Sequence, residues 1–228
     1  MESYMAFDTL IKNGTVIDGT DRLRYDADVA ISGGKIEAIG RLDAAEAART
    51  VDATGHIIAP GFIDMHSHSD MSLFDDPGGE SKVFQGITTE VTGNCSYSPF
   101  PIGPDGTAYL AMRWSFEWGN WIDLDGWATQ LESNGISINI APQVGQAALQ
   151  IAAGAIEDRP ATQDEMRLMQ RLAAEAVEQG AFSLSTGLSL SPSSYMSTEE
   201  IVALCRAIAQ YDGVFYVTHA RVGAGKHL

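Results

Sequence analysis

The chain has 228 residues, 45% of them hydrophobic, and its 14 Lys and Arg stand against 30 Asp and Glu for a formal net charge of −16. That length and apolar content suit a globular protein with a sizeable core, and no apolar run approaches the ~18 to 20 residues of a membrane helix. A surplus of negative charge repels a phosphate backbone, which argues against a nucleic-acid partner. The opening Met1-Glu2-Ser3-Tyr4-Met5 lacks the basic-then-apolar pattern of a secretory leader, so the expected compartment is the cytoplasm. Cys95 and Cys205 are far apart in the chain, and a disulfide is not expected there.

Residues 6–58 read as short strands punctuated by turns. Leu10–Ile17 carries Asn13-Gly14 and predicts a hairpin, because Asn-Gly takes the positive φ angles of a type I′ turn. Asp28–Ile39 repeats the pattern around Gly33-Gly34. Val51–Pro60 supplies another strand, followed by a Pro60-Gly61 break that opens a second domain, giving an N-terminal β portion at 1–58 and a second domain at 59–228. There an apolar strand, Phe62–His68, is followed by a poorly defined segment to Gly86 and a β-branched strand, Ile87–Thr92, ending at Gly93-Asn94-Cys95. Residues 96–135 read as irregular, with an aromatic cluster at Trp114, Phe116, Trp118, Trp121 and Trp127 that either lines a pocket or simply packs. Ile136–Ala141 is a third strand. Thr162-Gln163-Asp164-Glu165 and Ser197-Thr198-Glu199-Glu200 are capping boxes, each opening a helix with an apolar stripe that ends at Gly180 and Gly213. Ala181–Leu188 and Val214–His219 are the fourth and fifth strands. Strand–helix alternation with apolar strands predicts parallel βαβ units. Five such strands, where a TIM barrel has eight, predict an α/β fold with a partial (β/α)8-type barrel.

Three strand ends carry residues able to do chemistry. On a strand, period-two alternation puts His66 and His68 on one face and Ser67 on the other, and two imidazoles about 6 to 7 Å apart can converge on one metal ion. A free cysteine is usually a small buried apolar residue, but Cys95 sits at the carboxyl end of a strand, the face where barrels build their active sites. His219 ends the fifth strand at the same edge. Together these four make a His/His/Cys/His set suited to zinc. Asp64 and Asp70 flank the histidines; one of them either fixes an imidazole tautomer or, for Asp64, only caps a strand. Arg221 is a candidate bidentate contact for a substrate carboxylate. Cys205 falls on the inner stripe of a helix and is assigned to the core, His56 is assigned a structural role, and His227 falls in a tail without pattern.

The stretch GHIIAPGFIDMHSHSD resembles the metal-binding first strand of the amidohydrolase superfamily, and VTGNCSYSP and FYVTHAR narrow the likeness to the D-aminoacylase (N-acyl-D-amino-acid deacylase) family. The likeness runs to Arg221 and covers only part of a family member. It implies a β-sandwich completed by strands from the far end of a whole protein, and a centre of one or two Zn2+ ions. Cys95 and His219 would form the tighter position, with His66 and His68 at the second. The implied reaction is hydrolysis of an N-acyl-D-amino acid, a small-molecule substrate, to a carboxylate and a D-amino acid. The family's catalytic aspartate and a further metal histidine have no counterpart among these 228 residues, so the chain alone is expected to be inactive. After THxR the family continues with an acidic stretch, where this sequence has Val222-Gly223-Ala224. Two alternatives stand. One is a hydantoinase- or dihydroorotase-like cyclic amidase, against which Cys95 argues because those enzymes place a lysine there. The other is a non-catalytic metal-binding fragment whose open barrel edges would drive self-association.

Overall fold

In the computed structural model, residues 7–43, 45–103 and 121–221 are described. The chain divides into two units, Met1–Gly61 and Phe62–Leu228. The first holds a five-stranded sheet of β1 (Phe7–Val16), β2 (Tyr25–Ser32), β3 (Lys35–Gly40), β4 (Ala47–Asp52) and β5 (Ile57–Ile58), in the order β3-β2-β1-β4 with β5 also on β1. The Gly33-Gly34 turn joins β2 and β3 antiparallel as expected, both glycines having positive φ. The Asn13-Gly14 hairpin does not form. β1 runs straight through it, and Asn13, at φ 63°, sits in a bulge where the register with β2 shifts. Two contacts favour the bulge: Asp28 Oδ1 accepts the Asn13 N–H at 2.9 Å, and the missing Cβ of Gly14 leaves room for the Ile58 side chain. A small apolar cluster of Val16, Ala27 and Val29 lies under this sheet.

The second unit is an α/β structure on a parallel sheet. Its strands are β6 (Phe62–Asp64), β7 (Ile87–Thr92), β8 (Asn139–Gly145), β9 (Ser183–Gly187) and β10 (Phe215–His219), neighbours in chain order and all paired parallel. The connections hold α1 (Ser72–Asp75), α2 (Glu80–Val83), α3 (Leu124–Ser133), α4 (Gln146–Ala153), α5 (Gln163–Glu178) and α6 (Thr198–Ile208). Both capping boxes form with their reciprocal bonds, at Thr162/Glu165 and Ser197/Glu200. Met169, Ala173 and Ala176 of α5 and Ile201, Leu204 and Ile208 of α6 bury one face each in a single core. Cys205 packs against that core, and burial raises its thiol pKa.

Four readings of this region need correction. The regular strand ends at Asp64, so the histidines lie just beyond the ladder. Residues 70–86 contain two single-turn helices. The third strand starts at Asn139 and runs to Gly145, passing directly into α4. Part of the region taken as irregular is α3, capped by Asp123, whose side chain accepts the Gly126 N–H, with Leu124, Trp127 and Leu131 inward. Trp121 and Trp127 are core residues: Trp121 stacks on Phe74 and donates Nε1–H to the Pro99 carbonyl, and Trp127 packs on Phe100. Trp114, Phe116, Trp118 and His227 lie outside the described residues. Among the described residues, no helix is long and apolar enough to cross a membrane.

Candidate metal centre

The carboxyl ends of β6, β7 and β10 bring four side chains together. One ligand atom from each of His66, His68 and Cys95 lies within 4.8 Å of the others. Cys95 Sγ is 3.4 Å from His66 Nε2 and 3.5 Å from His219 Nδ1. The rings of His66 and His68 meet edge to face, their centroids 5.3 Å apart. Donors around a tetrahedral zinc at bond lengths of about 2.0 to 2.3 Å stand about 3.3 to 3.6 Å from one another. Both Cys95 spacings fall in that range. Nitrogen and thiolate donors are also the types zinc prefers, so these residues fit such an ion. Cys95 is shared: its sulfur is the atom common to the His66 and His219 sides of the cluster.

A tight turn aims Cys95. Gly93, Cys95 and Ser96 all have positive φ, at 74°, 54° and 74°. The turn lies hard against the ends of two strands, and small residues make this approach feasible. A Cβ on Gly93 would overlap the main chain of Gln143, one on Gly145 that of Ser96, and one on Gly187 that of Cys95. Buried polar side chains fasten the same turn from below. Asn94 donates Nδ2–H to the carbonyls of Val91 (2.8 Å) and Ser67 (3.2 Å) and accepts from Gln143 Nε2 at 2.8 Å. Gln143 Oε1 in turn accepts from Ser183 Oγ at 2.6 Å. Ser185 Oγ donates to the Gly93 carbonyl and accepts the Ser96 N–H.

Of the two roles left open for Asp64, its bonds match the strand-end cap, and Asp70 bonds the Cys95 turn. Asp64 Oδ1 accepts the main-chain N–H of His66 at 3.1 Å, while Oδ2 takes Lys82 Nζ at 2.5 Å, and Lys82 followed by that N–H lowers its pKa. Asp70 Oδ1 accepts the Gly93 N–H at 2.5 Å, and burial pushes this carboxyl up to about 7. The ring of His219 is instead oriented by Ser189 Oγ, 3.1 Å from Nε2. Arg221, on the rim, donates to the carbonyls of Ser194 (2.8 Å) and Met196 (2.7 Å), so part of its guanidinium holds the loop after β9. His56 is exposed and contacts the Thr54 carbonyl through Nδ1.

Sequence reasoning missed Glu90, Lys82, Asn94, Gln143 and Ser189. A signal existed for Glu90: a carboxylate inside Ile87-Thr88-Thr89-Glu90-Val91-Thr92 breaks the strand pattern, and such a group when buried requires partners, whereas Gln143 lies past the strand read as Ile136–Ala141 and gave none.

Comparison with known proteins bears on the family and the fold. The model of the family described as "Amidohydrolase family" matches residues 49–220. The N-acyl-D-glutamate deacylase of Alcaligenes xylosoxydans xylosoxydans is 39% identical over 214 residues, 94% of this chain and 44% of the relative. The crystal structure of N-acyl-D-glutamate deacylase from Bordetella bronchiseptica, complexed with zinc and a phosphonate inhibitor, superimposes with a TM-score of 0.87 at 36% identity, over 96% of this chain and 46% of that one. A D-aminoacylase structure described for its binuclear metal centre superimposes at 0.83 with 37% identity, over 95% and 46%. The chain spans less than half the length of each.

Proposed function

This chain belongs to the amidohydrolase family, and from that premise we propose that it is the metal-binding part of a zinc-dependent hydrolase acting on the amide bond of N-acyl-D-amino acids. The observation that carries the reading is the cluster itself: Cys95 within 3.5 Å of both His66 and His219, with His68 alongside. In this reading His219 and Cys95 would hold one ion, and His66 and His68 would hold a second. Residues 59–228 form an incomplete (β/α)8-type barrel, and the strands of 1–58 belong to a composite β-sandwich.

A bound zinc ion would supply a nucleophile from water near neutral pH and polarise the amide carbonyl. The chain's own residues do the holding. Ser189 fixes the His219 ring, the Asn94–Gln143–Ser183 bonds fix the turn that aims Cys95, and the exposed imidazoles leave one side open for substrate. Proton transfer to the leaving nitrogen needs a further acid. The carboxylate that the family resemblance implies for that step has no counterpart in these residues, so the chain alone is proposed to bind metal without turnover. Arg221 would reach a substrate carboxylate only through donors left over from its two main-chain bonds, and its first role is to hold the loop.

Two measurements test the reading. Zinc bound by the 228-residue chain should fall sharply in Cys95→Ala, and unchanged metal content would rule out the ligand set. The full-length polypeptide should hydrolyse N-acyl-D-methionine in preference to a hydantoin; the reverse preference would favour a cyclic amidase.

A further inference from the structure

We propose that Glu90 is the positioning residue for the His66–His68 pair, an inference that rests on the metal-binding reading above. Regular pairing of β6 stops at Asp64, so the histidines stand on a segment that the sheet holds at few points, the Ser67 N–H on the Val91 carbonyl being one. Glu90, in the middle of β7 and fully buried, spans that segment from behind. Its Oε1 accepts from Ser67 Oγ at 3.0 Å and its Oε2 accepts from Ser69 Oγ, one hydroxyl on each side of His68. Lys82 Nζ lies 2.9 Å from Oε1 and also reaches Asp64, whose other oxygen holds the main-chain N–H of His66. One carboxylate and one ammonium thus tie residues 64, 66, 67 and 69 to a single point. Ser67 faces back to Glu90, whereas ring nitrogens of its neighbours His66 and His68 lie within 4.8 Å of Cys95 Sγ.

Strand propensity does not explain this glutamate, since a buried position in a β-branched strand favours Val, Ile or Thr. A buried carboxylate costs several kcal/mol unless it is paired and hydrogen-bonded, and Glu90 spends its bonds on the two serines that bracket a proposed ligand. Lys82 keeps Asp64 as a partner if Glu90 is changed, so the substitution does not strand the ammonium.

The test uses two variants of the 228-residue chain. Ser67→Ala/Ser69→Ala removes the two hydroxyl bonds to Glu90 and leaves Glu90 paired with Lys82; Glu90→Gln keeps the shape and removes the charge. Zinc affinity is measured by competition with a chromophoric chelator, cobalt binding by absorption, and folding by far-UV circular dichroism. The expected result is native dichroism, zinc affinity lowered about 10- to 100-fold, and altered cobalt ligand-field bands with the Cys95 thiolate-to-cobalt band retained. A folded serine variant with parental affinity and parental bands overturns the assignment, and this variant decides even where Glu90→Gln fails to fold. A parent chain that binds neither metal overturns the metal reading and this inference with it, whereas a binding parent matched by its variants overturns the role of Glu90 alone.

Discussion

Replacing Gly187 by Ala isolates the fit between the Cys95 turn and the sheet. Gly187 ends β9, pairs with His219 across the ladder, and does not have a positive φ, so an alanine there meets no backbone strain. What it meets is the main chain of Cys95: the new Cβ would sit 2.8 Å from the carbonyl carbon, against the carbonyl oxygen, and 3.0 Å from Ser96 Oγ. Carbon atoms rest at about 3.5 to 4.0 Å, so turn and strand must part by at least about 0.7 Å (3.5 − 2.8). Overpacking of this kind costs about 1 to 3 kcal/mol. The displacement also exceeds the ~0.5 Å within which a ligand set must be held, and it acts on the residue placed between His66 and His219. Urea denaturation of the chain should therefore show a loss in that range, and zinc titration a loss of affinity of about tenfold or more. Gly40→Ala, with nothing within 4 Å of the new methyl, is the control and should leave both unchanged to within about 1 kcal/mol. Parental zinc affinity in Gly187→Ala would refute the claim that this contact sets the sulfur.

Leu204 is fully buried in the core face of α6, so Leu204→Ala should cost about 2 to 5 kcal/mol in thermal or urea unfolding, while Val202→Ala on the exposed face of the same helix should cost less than about 0.5 kcal/mol. Arg159 holds the Glu165 carboxyl down to about 2 from a usual 4.5. A lowered folded-state pKa adds stability above the unfolded value that is lost as pH falls from about 4.5 towards 2, here about 1 kcal/mol once solvent screening of a partly exposed pair is allowed for. Glu165→Gln should flatten that part of the stability–pH curve, and an unchanged slope would show that the pair adds nothing. The outer strands β6 and β10 end the described sheet, and Phe62 and Ile63 on β6 are more than half exposed. Size-exclusion chromatography of the 228-residue chain should show concentration-dependent association that Ile63→Lys reduces; a monomer at high concentration would contradict it.

The helices that could be read from sequence are those whose start is written in four consecutive residues. Thr162…Glu165 and Ser197…Glu200 satisfy their own free amides, so the signal does not depend on what packs against the helix. α3 and α4 lack that signal. The N-cap Asp123 is followed by Gly126 where a capping box would put Glu, and α4 follows β8 with no cap side chain at all. α4 is also buried on every side from Gln146 to Ile151, leaving no polar face to give a helical period. The Asn13-Gly14 error has the opposite origin. The local rule was sound for the dihedral, Asn13 does take a positive φ, but Asp28 and Ile58, distant in sequence, turn it into a bulge.

The cluster was legible for a different reason: His66, His68, Cys95 and His219 say little singly, but each stands at or just past a strand's carboxyl end, and strand order is enough to bring them to one edge. Their support could not be read in the same way, because Glu90 with Ser67, Asn94 with Gln143 and Gln143 with Ser183 are bonds between residues on different strands or loops. A buried polar group states that it has a partner without stating which. Yet Glu90, the one residue that breaks the β-branched pattern of Ile87–Thr92, is the carboxylate that bonds the two serines beside His68. An apolar residue at Glu90 would have made the strand easier to read and left the hydroxyls of Ser67 and Ser69 without their carboxylate partner. That departure from the expected pattern therefore marks where the proposed site is fastened.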